Sequence, residues 1–157
     1  MFLILLLLIV VAASAHIAIM KSRSVQRVAK VFLIYLLVGY CGIPMVLVSI
    51  WCLNSPEHAA SSLGFPPGGP FQQFFAVAYL GLAILSLLSP WYRRSYLIAP
   101  AVGWAVFFTG ATFIHMNDMS AHHSPSHGGM LLVFMTHGLI SVLLLASLLA
   151  SGVWKER

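Results

Sequence analysis

The stretch His115-Met116-Asn117-Asp118-Met119-Ser120-Ala121-His122-His123-Ser124-Pro125-Ser126-His127 gathers four of the chain's seven histidines and one of its three acids into thirteen residues. Imidazole binds zinc, copper, nickel and iron, and thioether sulfur favours copper(I). The neighbouring Met116, Met119 and Met130 therefore tilt the expectation toward copper or zinc. On a helix that continues to about His123, the residues His115, Asp118, Met119 and His122 share one face at i, i+3, i+4 and i+7. Asp118 and His122 then have the spacing with which two side chains grip one ion. The candidate metal ligands are His115, Asp118, His122, His123 and His127. The competing reading is a solvated polar connection, whose imidazoles change charge between about pH 5 and 8 with no metal at all. No HExxH-type zinc-enzyme motif is present.

His137 stands apart, since it lies within an apolar run about 13–15 Å of helical rise below that stretch. An ionisable group at membrane depth is a functional hypothesis in its own right. The alternative is a neutral imidazole bonded to a neighbouring helix, for which Thr136, Thr112 and Gln72 are the expected partners. Haem needs two histidines facing each other at one depth. Only His115 and His137 approach that, at depths that differ if both helices are regular. His16 is expected near the membrane surface. Glu57 and His58 belong to a short outer helix, on the side where they could complete a site.

Other chemistry is missing from the sequence. No Ser/His/Asp order surrounds a strained nucleophile turn, and no catalytic residue is predicted. Gly64-Phe65-Pro66-Pro67-Gly68-Gly69-Pro70 lacks the lysine and preceding strand of a phosphate loop. It reads as a tight turn from which Pro70 starts a helix. Cys41 and Cys52 share one apolar run, separated by roughly 16 Å of helix. They cannot pair there, and they read as small apolar fillers.

These groups have to be positioned by elements that live in lipid. Hydrophobic residues make up 61% of the 157 and charged residues only 7%, against about 25% in a soluble domain. Several runs approach the roughly 20 residues that span a bilayer core. The expected fold is all-α, a single polytopic helical bundle of about five spans, with the N-terminus outside and the C-terminus cytoplasmic. The spans fall at about 1–20, 31–53, 71–89, 96–115 and 129–154. Outer connections cover 54–70 and 116–128, and cytoplasmic ones 21–30 and 90–95. All eight Lys and Arg residues then lie on one side, which the positive-inside rule assigns to the cytoplasm. The first span has its charges after it rather than before it, unlike a cleaved signal peptide. A four-span chain lacking it keeps every later loop in place.

Local signals refine the picture. Pro44, inside the second run, predicts a kink. Ser55, Pro56, Glu57 and Gly64 fit the cap, first-turn and C′ positions of a short helix. Gln72 is expected at the outer end of the third span. Ala99 with Gly103, and Ala146 with Ala150, have the spacing of close helix approaches. The net charge of +5 is not gathered into a basic face interleaved with aromatics, so nucleic acid is not an expected partner.

The Gly64–Gln72 run, followed by Gly110, His115 and the Gly128 turn, resembles a family of small multi-spanning bacterial and archaeal membrane proteins of unknown function. The resemblance covers about residues 55–150 and rests on the Gly-x-Pro-Phe-Gln turn, with Pro70, Phe71, Gln72 and His115 matching. Phe74 stands where the family has an acid, Tyr79 where it has an asparagine, and His137 replaces an acid near the last span. The resemblance implies a membrane topology, in a bacterial cytoplasmic membrane, and no particular activity.

Three classes of function stay open. One is a metal-binding membrane protein holding Cu or Zn at the histidine-rich loop. Another is a non-catalytic accessory or assembly subunit, packed against other membrane subunits or a second copy. The third is a haem or redox protein using His115 and His137.

Overall fold

A computed structural model describes residues 2–21, 23–62, 70–122 and 129–155. Within that range the side chains of residues 2, 71, 118–122 and 129–130 lie outside the description. Every regular element among the described residues is helical. In chain order these are α1 (Phe2–Ile19), α2 (Val25–Tyr35), α3 (Ile43–Asn54), α4 (Pro56–Ser62), α5 (Phe71–Leu87), α6 (Ile98–His122), α7 (Gly129–Val133) and α8 (Leu139–Ser151). A π turn, Leu36–Gly42, joins α2 to α3, and a second, Phe134–Gly138, joins α7 to α8.

Three of the resulting helices are long and apolar enough to cross a membrane: Val25–Asn54, Arg94–Asn117 and Leu131–Ser151. Leu3–Ile19 and Gln72–Leu87 are apolar but shorter. α3 packs on α5, while α2 and α6 both pack on α8. The core they enclose centres on Leu33, Leu36, Leu37, Tyr40, Trp104, Phe108, Ile140 and Leu144.

The surface is the inverse of a water-soluble bundle. Ile4, Phe74, Val106, Phe113, Leu131 and Leu149 are exposed, whereas Ser49, Ser86, Thr112, Thr136, Ser141 and Ser151 are buried. Several of these hydroxyls are satisfied locally: Ser49 donates to the Met45 carbonyl at 2.7 Å and Thr112 to the Phe108 carbonyl at 2.8 Å. Such i−4 bonds let a polar side chain sit in an apolar bundle without an orphaned donor.

Three helix ends and the form of the kink differ from expectation. α2 begins at Val25 rather than 31, because the Ser24 hydroxyl accepts the Arg27 amide and caps the helix. Arg27 and Lys30 therefore ride on a helix instead of a loop. The kink expected at Pro44 takes the form of the preceding π turn. Proline lacks an N–H and its ring crowds the carbonyl four residues back, and the Ile43 amide reaches five residues back to Val38. α6 runs on to His122 instead of ending at 115. α8 stops at Ser151, where Gly152 takes a left-handed conformation (φ 68°) that favours glycine. The short helix expected after Ser55 is present as α4, with Pro56 as its first residue.

The close approaches also lie partly elsewhere. Gly103 does face α5, where an added Cβ would come 3.0 Å from Leu82 Cδ2. Ala99, Ala146 and Ala150 are exposed. The tightest contacts are at the first π turn, where a Cβ on Gly42 would lie 2.7 Å from Leu87 Cδ2 and one on Gly39 2.9 Å from Ile9 Cγ1.

Candidate intramembrane histidine pair

His115 and His137 come from different helices and meet, with ring centroids 5.6 Å apart and planes inclined by 48°. The expectation that their depths differ is thereby corrected. α6 continues two turns past His115 before the chain turns, and α7 begins about two turns before His137. The two residues are therefore level in an antiparallel pair. Reading His115 as the last residue of its span hid this.

His137 occupies the second π turn, and its environment fixes its hydrogen. The single proton of the Thr136 hydroxyl is directed to the Leu132 carbonyl at 2.8 Å. Its oxygen is then left to accept from His137 Nδ1 at 2.9 Å. This pattern puts the hydrogen on Nδ1 and leaves Nε2 as the acceptor of the ring. Thr136 is thus the expected partner. Thr112 donates to the Phe108 carbonyl on its own helix. Gln72 is half-buried in the first turn of α5.

Phe108 lies edge-on to His137 with centroids 5.7 Å apart, and it stacks on Trp104 at 5.1 Å. Trp104 in turn donates Nε1–H to the Ser86 hydroxyl at 2.8 Å. Behind them Tyr40 donates to the Thr136 carbonyl at 2.8 Å. Tyr40 escaped the sequence reading. Its signal was a lone phenol in an apolar run, since a buried tyrosine hydroxyl usually requires a partner.

The geometry sorts the cofactor expectations. The imidazoles touch each other and Phe108, so a macrocycle has no slot between them and the arrangement does not fit haem. Among the described residues no group of three or more His, Cys, Asp or Glu side chains could hold a metal ion. His123 and His127, and the side chains of Asp118 and His122, lie outside the described residues. The helical backbone does reach His122, which gives His115, Asp118 and His122 the expected common register. Elsewhere, His58 packs edge-on against Trp51 at 6.1 Å. His16 Nδ1 is 3.2 Å from the Tyr35 hydroxyl. Cys41 and Cys52 are buried free thiols, as expected of fillers.

Two of the positions where the resemblance pointed to altered polar groups, Phe74 and Tyr79, carry aromatic rings here. Phe74 is 71% exposed on the outside of the bundle. Tyr79 packs on Phe107 at 4.7 Å and Trp104 at 5.5 Å.

An all-helical bundle with an inverted surface and a half-buried imidazole pair defines a class that sequence comparison then makes specific. Residues 1–156 match DUF6790, described as a family of unknown function, and the chain belongs to it. No curated protein and no solved structure matches the chain.

Proposed function

We propose that this chain crosses the membrane five times and takes up and releases a proton at the His115–His137 pair, acting as a proton-responsive or proton-relaying membrane protein. The contact between those rings carries the reading. Two imidazoles this close bind protons as a coupled unit rather than as independent sites. Ionisable groups at such depth commonly belong to proton or ion pathways. A hydrogen placed on Nδ1 of His137 leaves Nε2 to accept the proton.

In this reading the N-terminus is outside, the C-terminus is cytoplasmic, and the pair sits in the outer half of a bacterial cytoplasmic membrane. The sorting of basic residues to one end supports that orientation. The exposed apolar faces meet lipid, other membrane subunits or a second copy.

The test is nitrogen NMR of histidine-labelled protein in lipid, titrated between about pH 5 and 8. At high pH, His137 is expected to show a protonated Nδ1 and a bare Nε2, and its titration midpoint is expected to move in His115→Asn. A midpoint indifferent to that substitution would end the paired-proton reading.

A second reading, copper or zinc held by His115, Asp118, His122, His123 and His127, is favoured by the continuation of α6 to His122. Metal analysis of purified protein beside a variant with His122, His123 and His127 changed to alanine decides it. Equal, near-zero metal in both removes this reading and leaves the proton reading intact.

A further inference from the structure

At the end of the bundle opposite the histidine pair, a cavity of about 1020 Å³ opens between α1, α2 and the segment leading into α6. Arg27, Lys30, Arg93 and Arg94 line it, with His16 and Tyr35 alongside. No acidic side chain lines it among the described residues. Half of the chain's eight basic residues are thus drawn into one partly enclosed space. Like charges so gathered repel one another, and an anion seated among them relieves that repulsion.

Two local features hold the cations in place. Arg93 Nε donates to the Pro90 carbonyl at 2.9 Å, which uses one of five guanidinium donors. Arg94 takes a left-handed backbone with φ 63°, a conformation that is strained for a non-glycine residue and recurs at ligand clamps. The capped start of α2, at Ser24, also opens on the cavity, adding the positive end of a helix dipole. The other wall, Val31, Ile34 and Val38, is apolar.

We propose that this cavity binds a phosphate-bearing anion, either the headgroup of an anionic phospholipid or free phosphate. Basic pockets between helices at a membrane surface suit lipid phosphates, and paired guanidiniums match phosphate oxygens in geometry and charge. The lipid source rests on the membrane reading above, while the phosphate chemistry does not.

The experiment compares wild type, a cavity variant (Arg27→Gln with Arg93→Gln) and a control losing the same charge outside the cavity (Lys21→Gln with Lys155→Gln). Alkaline-carbonate sedimentation first tests membrane residence by itself. Each protein is then delipidated in neutral detergent and offered dioleoylphosphatidylglycerol or dioleoylphosphatidylcholine, with retention read by native mass spectrometry. Thermal stability is followed in parallel with inorganic phosphate at millimolar concentration.

Retention of about one phosphatidylglycerol by wild type and control, weakened about tenfold or more in the cavity variant, supports the site with a lipid occupant. Stabilisation by inorganic phosphate alone, with the same dependence on Arg27 and Arg93, supports it with a soluble one. If wild type retains neither, or if both variants lose binding equally, the proposal is overturned. The wild-type measurements stand even if the cavity variant does not fold.

Discussion

The Tyr40 hydroxyl donates to the Thr136 carbonyl at 2.8 Å, joining the π turn between α2 and α3 to the π turn between α7 and α8. In a π turn the regular i→i−4 ladder is interrupted, so a carbonyl there is open to a side-chain donor. Neither wide turn is an isolated irregularity. Thr136 also orients His137, so the phenol buttresses the residue that sets the imidazole hydrogen.

Tyr40→Phe keeps the ring against Phe108 and removes only the donor. The expected cost is about 1–2 kcal/mol, the penalty for leaving a buried carbonyl without its partner. Thermal unfolding in detergent reads it as a drop of a few degrees. An unchanged midpoint means that the Thr136 carbonyl has another donor.

Thr136→Val preserves the branched shape and deletes the oxygen that accepts from His137 Nδ1. A larger share of the tautomer protonated on Nε2 is expected, visible as exchanged nitrogen shifts at high pH. Identical spectra for the variant and wild type contradict the assignment of the hydrogen to Nδ1.

Gly42→Ala forces a Cβ to within 2.7 Å of Leu87 Cδ2, with the Leu37 carbonyl at 3.2 Å blocking retreat. Overpacking of this kind costs about 1–3 kcal/mol. The same substitution in a Leu87→Ala background is expected to cost clearly less, and equal costs in the two backgrounds rule out the α5 contact as the source.

Cys41 and Cys52 are 0% and 2% exposed, so neither should react with maleimide until the protein is denatured. That silence allows introduced thiols to report sidedness. In intact cells Ser61→Cys, on α4, is expected to react with an impermeant maleimide, and Lys155→Cys only after permeabilisation. The reverse pattern inverts the proposed orientation.

Elements marked by local chemistry were readable from the sequence, and α4 is the clearest case. Its Ser55-Pro56-Glu57 start follows directly from how helix ends satisfy their backbones. The metal-ligand expectation turned on side chains from 118 to 127, which lie outside the described residues. The His115–His137 contact was missed because Met116 and Asn117 looked like the start of a loop, and an error of two turns in one helix end moves a residue by about 10 Å. Tyr40 and Trp104 depend on partners 96 and 18 residues away, which local patterning does not carry. Ala146 and Ala150 show the converse limit: a small-residue spacing names a face, but not whether another helix of the same chain covers it.

The wide turn before Pro44 also acts as a phase slip. Leu33 ahead of it and Leu36, Leu37 and Tyr40 within it face inward, and an unbroken helical wheel would continue that stripe through positions 44, 47 and 51. The inward residues beyond it are instead Met45, Ser49 and Cys52, while Leu47 is 63% exposed. One additional residue in the turn rotates everything downstream by about 100°. Deleting a single residue between Leu36 and Gly42 should therefore remove the slip, so that a regular α-helix carries Met45, Ser49 and Cys52 toward the same inner face.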